Sequence, residues 1–360
     1  MPDSLRLHGT VLDSLCKWLP GERITRLRNL AWLMTGMYLA RSVHVSHIAR
    51  KLPLPGQVVS LTNRLRRFVD NPRVNVWRYY QPLARQLLSN FEGQRLTLLM
   101  DCTALGFDYQ LMVIAIAYRR RALPLIWSVH RSKKGMVPCE DQITLLRRLA
   151  PLISPRTEVW LVGDAGFGRV ALMRWLSQRH WHFCLRVNSA YQYRKSDGDW
   201  TTVSTLPIKE GQTLYVGWVR WTRRENFGWV QLLAHWQKGE DEPWFLITGR
   251  AAGPWTIRLY KKRMWVEELF GDLKGHGFDL EATHLLDFDR LSRLVLAAMI
   301  VYVWLIALGS RIVKRGLRFT VDRRDRRDKS LFRIGWDWIE RCLALGNHIP
   351  LSFSPISGKR

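Results

Sequence analysis

What most restricts the fold of this 360-residue chain is an ordered set of apolar runs between residues 94 and 189. Leu96–Met100, Gln110–Tyr118 and Ala122–His130 read as three consecutive strands. A helical stretch over 140–152 follows, then a β-rich run from Glu158 to Gly163, a helix over 170–179 and a strand over 182–187. Three strands, helix, strand, helix, strand predict an α/β fold built on a mixed sheet. Residues 190–243 look all-β, with 214–222 and 227–236 forming a hairpin around Arg223–Asn226. The α/β pattern resumes at Trp244–Thr248, and from about Leu259 the chain becomes helical.

Upstream of the strands, residues 1–93 read as helices over 5–19, 23–40, 42–52 and 58–69. The last two flank a turn containing Pro53, Pro55 and Gly56, and the second of them carries Arg64, Arg66 and Arg67. A short helix, a turn and a basic helix fit a helix-turn-helix-like DNA reader, with a helical bundle bearing a solvated basic face as the structural alternative. The domains expected are therefore 1–93 (helical, DNA-binding), 94–189 and 244–315 (two parts of one core), 190–243 (β-rich insertion) and 316–360 (basic C-terminal region).

Charge narrows the partner. Fifty-six Lys and Arg against 30 Asp and Glu leave a net +26, tolerated most easily beside a polyanion. The blocks 1–93, 94–189, 190–243 and 244–315 with 316–360 carry +9, +8, 0 and +9. Five cysteines without a CxxC argue against a zinc module or disulfide framework, and a reducing cytoplasm is the default compartment. The N-terminal residues include acids and no continuous apolar stretch, unlike a secretory signal. Leu294–Ser310 is uncharged over 17 residues, short of the roughly 20 a spanning helix needs, so a buried core helix and no membrane partner are expected.

Asp101 follows one apolar run and Asp164 another, so both carboxylates are expected to emerge at the carboxyl edge of one sheet, where sites gather in open α/β folds. A third candidate lies in the helical stretch 260–274. At 100° per residue Tyr260, Arg263, Glu267 and Lys274 share an arc of about 60°, whereas Glu268 points to the other side. An Arg263–Glu267 pair supporting an exposed helix is the plain structural reading, and it leaves Tyr260 and Lys274 unaccounted for.

Tyr-x2-Arg-x3-Glu-x6-Lys, met by Tyr260, Arg263, Glu267 and Lys274, resembles the signature of bacterial insertion-sequence DDE transposases with an RNase H-like catalytic core. The resemblance covers roughly residues 95–310. It implies an RNase H-like mixed sheet flanked by helices, interrupted by an all-β insertion, with an N-terminal helical DNA-binding domain. In that family a β-rich insertion separates the second Asp from the Glu, and 103 positions separate Asp164 from Glu267 here. Relatives often carry a basic residue where this chain has Ala165.

The resemblance further implies that Asp101, Asp164 and Glu267 are catalytic and hold two Mg2+ ions, with Mn2+ as a substitute. All-carboxylate oxygen donors suit such hard cations. Arg263, Lys274 and Tyr260 would hold DNA phosphates near the scissile bond. Trp265 is a candidate for stacking a flipped base, and Arg119, Arg120 and Arg121 are candidate phosphate contacts. Arg323–Lys329 reads equally as phosphate contacts or as a solvated linker, because Asp322, Asp325 and Asp328 alternate with its cations. The implied activity is cut-and-paste transposition by a homodimer on terminal inverted repeats and target double-stranded DNA, in a bacterial, nucleoid-associated setting. The alternatives are an RNase H-like nuclease without strand transfer and a non-catalytic DNA-binding relative.

Overall fold

The apolar runs pair into a single ten-stranded sheet in the computed structural model, which describes residues 3–106, 109–131, 137–283, 285 and 287–355. Its strands are β1 (Arg95–Leu105), β2 (Tyr109–Tyr118), β3 (Arg121–Arg131), β4 (Glu158–Gly163), β5 (His182–Arg186), β6 (Gln192–Arg194), β7 (Thr201–Thr202), β8 (Thr213–Trp221), β9 (Gly228–His235) and β10 (Trp244–Thr248). The order across the sheet is β3-β2-β1-β4-β5-β10-β9-β8-β6-β7. β1, β4 and β5 are mutually parallel, and every other pairing is antiparallel. The fold is therefore mixed α/β. The β-rich segment does not stand apart: β10 pairs on one side with β5 and on the other with β9, so the segment extends the same sheet.

Eleven helices of the described residues surround it: α1 (Asp3–Trp18), α2 (Ile24–Ala40), α3 (Val45–Arg50), α4 (Val58–Val69), α5 (Val76–Ser89), α6 (Cys139–Leu149), α7 (Val170–Gln178), α8 (Pro254–Lys261), α9 (Met264–Leu273), α10 (Phe288–Lys314) and α11 (Leu331–Ala344). α10 is long and apolar enough to cross a membrane by length and composition alone. Every residue from Leu294 to Ser310 is nevertheless buried in the protein, as a helix apolar on all sides requires. α2 is likewise buried along Leu30–Tyr38.

The N-terminal helices share this core. Tyr38 on α2 donates its hydroxyl to the Trp336 carbonyl on α11 (3.0 Å) and stacks on the Trp336 ring, while Tyr80 on α5 donates to the Pro124 carbonyl on β3 (2.7 Å). Arg293 of α10 is buried, and its guanidinium is satisfied by the Val69 and Val74 carbonyls (2.9 and 3.1 Å), which ties the end of α4 to the central helix. α10 and α11 cross at glycine. A Cβ on Gly309 would lie 2.0 Å from the Leu331 carbonyl oxygen, and one on Gly335 2.0 Å from that of Leu305, so only glycine permits this approach.

Candidate active site

β1 does not stop before Asp101, as its apolar run suggested. It stays paired with β2 to Leu105, with Asp101 opposite Val113, but its parallel pairing with β4 ends at Met100 opposite Gly163. Asp101 and Asp164 are thus the next residues on two neighbouring parallel strands, at the edge where those strands part. Neighbouring strands lie about 4.8 Å apart, so the two carboxylates leave the sheet side by side.

Local chemistry fixes each one. Asp164 caps a single 3-10 turn over Ala165–Phe167, and its Oδ1 accepts from the Gly166 N–H at 2.9 Å. That turn is pressed onto β5: a Cβ on Gly168 would come within 2.7 Å of the Arg186 carbonyl oxygen, and one on Gly163 within 2.9 Å of the Phe167 Cβ. The run Gly163-Asp-Ala-Gly-Phe-Gly168 is therefore a packing requirement as well as a carboxylate holder. Asp101 is 6% exposed; its Oδ1 accepts from the Cys102 N–H (2.8 Å) and its Oδ2 from Arg263 Nη1 (2.7 Å). Burial pushes the Asp101 carboxyl up to about 6, the charge of Asp164 adds to this, and Arg263 pulls the other way.

Arg263 reaches the third acid with its other arm, Nη2 lying 2.7 Å from Glu267 Oε1. Arg263 therefore bridges two of the three carboxylates named from the sequence, Asp101 and Glu267, while Asp164 lies beside Asp101 at the strand edge. Glu268 is turned away, paired with Arg121 of β3. Asp272, one turn further along α9, faces the same Arg121 at 3.6 Å, and burial pushes its carboxyl up to about 7. Arg121, expected among the phosphate contacts, borders a cavity with Arg119 and Arg120, and its side chain, 12% exposed, also holds α9 onto the sheet through Glu268 and Asp272.

The single helical stripe is also corrected. α8 ends at Lys261 and α9 begins at Met264, and across the join Lys262, Arg263, Trp265 and Val266 donate to carbonyls three residues back. This tighter turn breaks the 100° progression on which a common arc for Tyr260, Arg263, Glu267 and Lys274 depended. Tyr260 consequently sits beneath the surface at 2% exposed, its ring edge-on to Trp244. Its hydroxyl is buried with no hydrogen-bond partner among the described residues. Lys274 lies just past the end of α9 and pairs with Glu281 at 2.8 Å.

Beside α9, Trp265 borders a cavity of about 570 Å³ with Arg119 and Arg120 at the β2–β3 tip. Both arginines have positive φ (45° and 64°), the two-residue turn that suits tight hairpins and is normally left to Gly or Asn. The far wall comes from Arg318 and, within the Arg323–Lys329 run read as a linker or a phosphate contact, from Arg327 and Lys329. Around the N-terminal helices, Arg64 and Arg67 border a cavity of about 720 Å³ together with Arg23, Arg26 and Arg73. Arg64 also donates to Asn29 Oδ1 (2.8 Å), and Arg66 is exposed but outside this wall. Seven residues, 51–57, separate α3 from α4, longer than the turn of three or four residues in a helix-turn-helix. Arg23, Arg26 and Arg73 were missed because the first two are separated in sequence from Arg73 and from α4, and only the packing of α2 against α4 brings them to one wall.

The residues fit a hard divalent cation in donor chemistry: two in-register aspartates, one of them buried at a cost that a cation would remove, with a glutamate one salt bridge away. As they stand, no three Asp, Glu, His or Cys side chains among the described residues are gathered closely enough to hold an ion, and Glu267 is paired with Arg263. Glu267 is 47% exposed, with Arg263 as its ion-pair partner.

The Transposase DDE domain family matches residues 109–304, a span that contains Asp164 and Glu267 and begins after Asp101. Among curated proteins none matches the chain. Among solved structures, the cryo-EM structure of a piggyBac transposase synaptic complex with hairpin DNA is similar at a TM-score of 0.48 and 10% identity, over 95% of this chain and 80% of that one.

Proposed function

Since this chain belongs to the Transposase DDE domain family, over more than half its length, we propose that it is a cut-and-paste DNA transposase whose catalytic acids are Asp101, Asp164 and Glu267. The observation that carries this reading is the pairing of Arg263 with both Asp101 and Glu267, which ties the glutamate of α9 to the strand edge where Asp101 and Asp164 lie side by side. The strand order β3-β2-β1-β4-β5, with β2 antiparallel, supports the RNase H-like core that such a site requires.

In this reading Asp101, Asp164 and Glu267 would hold two divalent cations, Mg2+ or Mn2+, whose chemistry would be activation of the attacking hydroxyl or water and stabilisation of the leaving oxygen. The chain's own residues set up that chemistry. Gly166 N–H and Cys102 N–H orient one oxygen of each aspartate. Arg263 neutralises Asp101 before substrate arrives, and its planar guanidinium suits the backbone phosphate that would displace the carboxylates. Arg121, through Glu268 and Asp272, keeps α9 pressed on the sheet so that Glu267 stays in range. Arg119, Arg120 and Trp265 on one side, and Arg64 and Arg67 on the other, supply the cationic and aromatic surfaces for double-stranded DNA, including the element's terminal inverted repeats. A homodimer acting in a bacterial nucleoid completes the proposal.

Incubation with Mg2+ and DNA carrying the flanking inverted repeats tests it. Double-strand breaks at the element ends followed by joined products are expected. Breaks without joining would leave a nuclease, and neither product at any divalent cation would refute the reading.

A further inference from the structure

The β-rich segment 190–243 is neutral as a block, with seven basic and seven acidic residues. Its charges are nevertheless separated in space. Two of its arginines, Arg223 and Arg224, form the tip of the β8–β9 hairpin, and that tip stands over the loop that follows Asp164. A cavity of about 530 Å³ lies between them, bordered by Gly166, Arg169, Asn188, Tyr191, Arg223 and Arg224 and also by Glu225. Gly166 is shared with the candidate active site, since its N–H holds Asp164 Oδ1 at 2.9 Å. The cavity and the carboxylate site therefore have one wall in common.

The tip is held where it is against backbone preference. Thr222 and Asn226 both have positive φ, 57° and 41°, and for a β-branched threonine this is a costly conformation. Neighbouring hydrogen bonds impose it: the Thr222 N–H donates to the Gln192 carbonyl (2.9 Å), the Asn226 N–H to the Thr222 carbonyl (3.1 Å), and Arg174 of α7 donates to the Glu225 carbonyl. Arg169, Arg223 and Arg224 are all exposed, and no carboxylate lies within ion-pair distance of any of them among the described residues. Three guanidinium groups in no ion pair line one concave site against a single carboxylate, Glu225, so the wall keeps a net positive charge. Such a site selects an anion with several acceptor oxygens, and guanidinium forks match phosphate geometry.

We infer that Arg169, Arg223 and Arg224 form a phosphodiester-binding subsite beside Asp164, through which the inserted strands grip the DNA backbone next to the reacting bond. This rests on the transposase reading. It assigns the otherwise neutral insertion a direct part in substrate binding, with Tyr191 and Asn188 available for the sugar edge of the same strand.

The test compares Arg223→Ala/Arg224→Ala with Lys195→Ala/Lys209→Ala, which removes the same charge from exposed positions of the same segment. Binding of inverted-repeat duplex is measured over a salt series. The arginine pair is expected to lower the slope of log K against log salt by about 1 to 2, one increment for each phosphate that is no longer neutralised, and the lysine pair to leave it unchanged. As a check on the unaltered protein, DNA should protect Arg223 and Arg224 from phenylglyoxal modification, read by mass spectrometry, whereas inorganic phosphate at the same nucleotide-equivalent concentration should not. Equal slopes for the two pairs, or full modification of both arginines in the DNA complex, overturns the subsite while cleavage by the unaltered protein keeps the transposase reading intact. Absence of both binding and cleavage in the unaltered protein overturns both.

Discussion

Arg263 donates one arm to Asp101 Oδ2 and lays the other against Glu267 Oε1, each at 2.7 Å, so a single guanidinium links the sheet to the helix of the candidate site. With side-chain exposures of 15% for Arg263 and 9% for Asp101, this is a buried pair. Removing one partner of such a pair typically costs about 3–5 kcal/mol, because the other is left charged and desolvated. Arg263→Ala is therefore expected to lower the unfolding free energy by about 3 kcal/mol in EDTA at pH 8. Mn2+ should then raise the melting temperature of the variant by more than that of the unaltered protein, since the cation takes over the neutralisation of Asp101. Equal Mn2+ shifts in differential scanning calorimetry would show that Arg263 and the cation do not compete for the same carboxylates.

Two adjacent glutamates allow a sharper assignment. Glu267 joins Arg263, whereas Glu268 joins Arg121 on the far side of α9. Asp101→Ala, Asp164→Ala and Glu267→Ala are each expected to bring end cleavage to background with DNA binding nearly intact. Glu268→Ala should keep cleaving, with a loss of about 1 kcal/mol or less in stability, because its carboxylate is half exposed and such pairs contribute little. Gel assays of the four variants on one labelled end decide it, and an active Glu267→Ala protein would exclude the residue.

Asp272 gives the protein a dependence on pH. Its burial in the fold raises the carboxyl from an ordinary 3.8 to about 7, and Arg121 at 3.6 Å is too far to hydrogen-bond the Oδ2 atom. A group raised on folding binds more protons in the native state, so its stabilising share is complete below about pH 4 and is lost as pH rises through about 7. At about 1.4 kcal/mol per unit the change is on the order of 4 kcal/mol. Asp272→Asn is expected to flatten the fall in stability between pH 5 and 8 and to be the more stable protein at pH 8. Urea midpoints at the two pH values measure this, and an unaltered slope would place the titration elsewhere.

The crossing of α10 and α11 should be intolerant of a single methyl group. Gly335→Ala sets a Cβ 2.0 Å from the Leu305 carbonyl oxygen, a backbone atom that cannot rotate away. A loss of about 3 kcal/mol is expected, at the upper end of ordinary overpacking. Gly9→Ala in α1, where nothing lies within 4 Å of the added Cβ, should instead gain up to about 1 kcal/mol from helix propensity. Chemical denaturation of both variants supplies the comparison.

Much of the candidate site was legible in the sequence because the information was local. Asp101 and Asp164 each follow a run of apolar residues that forms a strand, and the spacing of Arg263 and Glu267 is one helical turn wherever the chain is helical. The preference for Glu267 over Glu268 followed from the same turn. Helical-wheel arithmetic failed where it crossed the join at Lys262–Arg263, where hydrogen bonds three residues apart replace those four apart and no Gly or Pro announces the change, and again at the end of α9. Tyr260 became buried at the join, and Lys274 fell outside because α9 stops at Leu273.

The sequence by itself determined most of the strands and helices, though not α5, β6 or β7, together with three candidate acids and a basic chain in need of a polyanion, since periodicity, residue type and charge are properties of short segments or of simple sums. Tertiary structure alone decided which residues meet. Strand register set Asp101 beside Asp164, and side-chain reach turned Arg121 inward to Glu268 and Asp272. Sheet pairing carried the neutral insertion round until Arg223 and Arg224 faced the Asp164 loop. A block's net charge averages over its surface, but a phosphate feels only the groups within a few ångströms of it, and those are chosen by packing rather than by position in the chain.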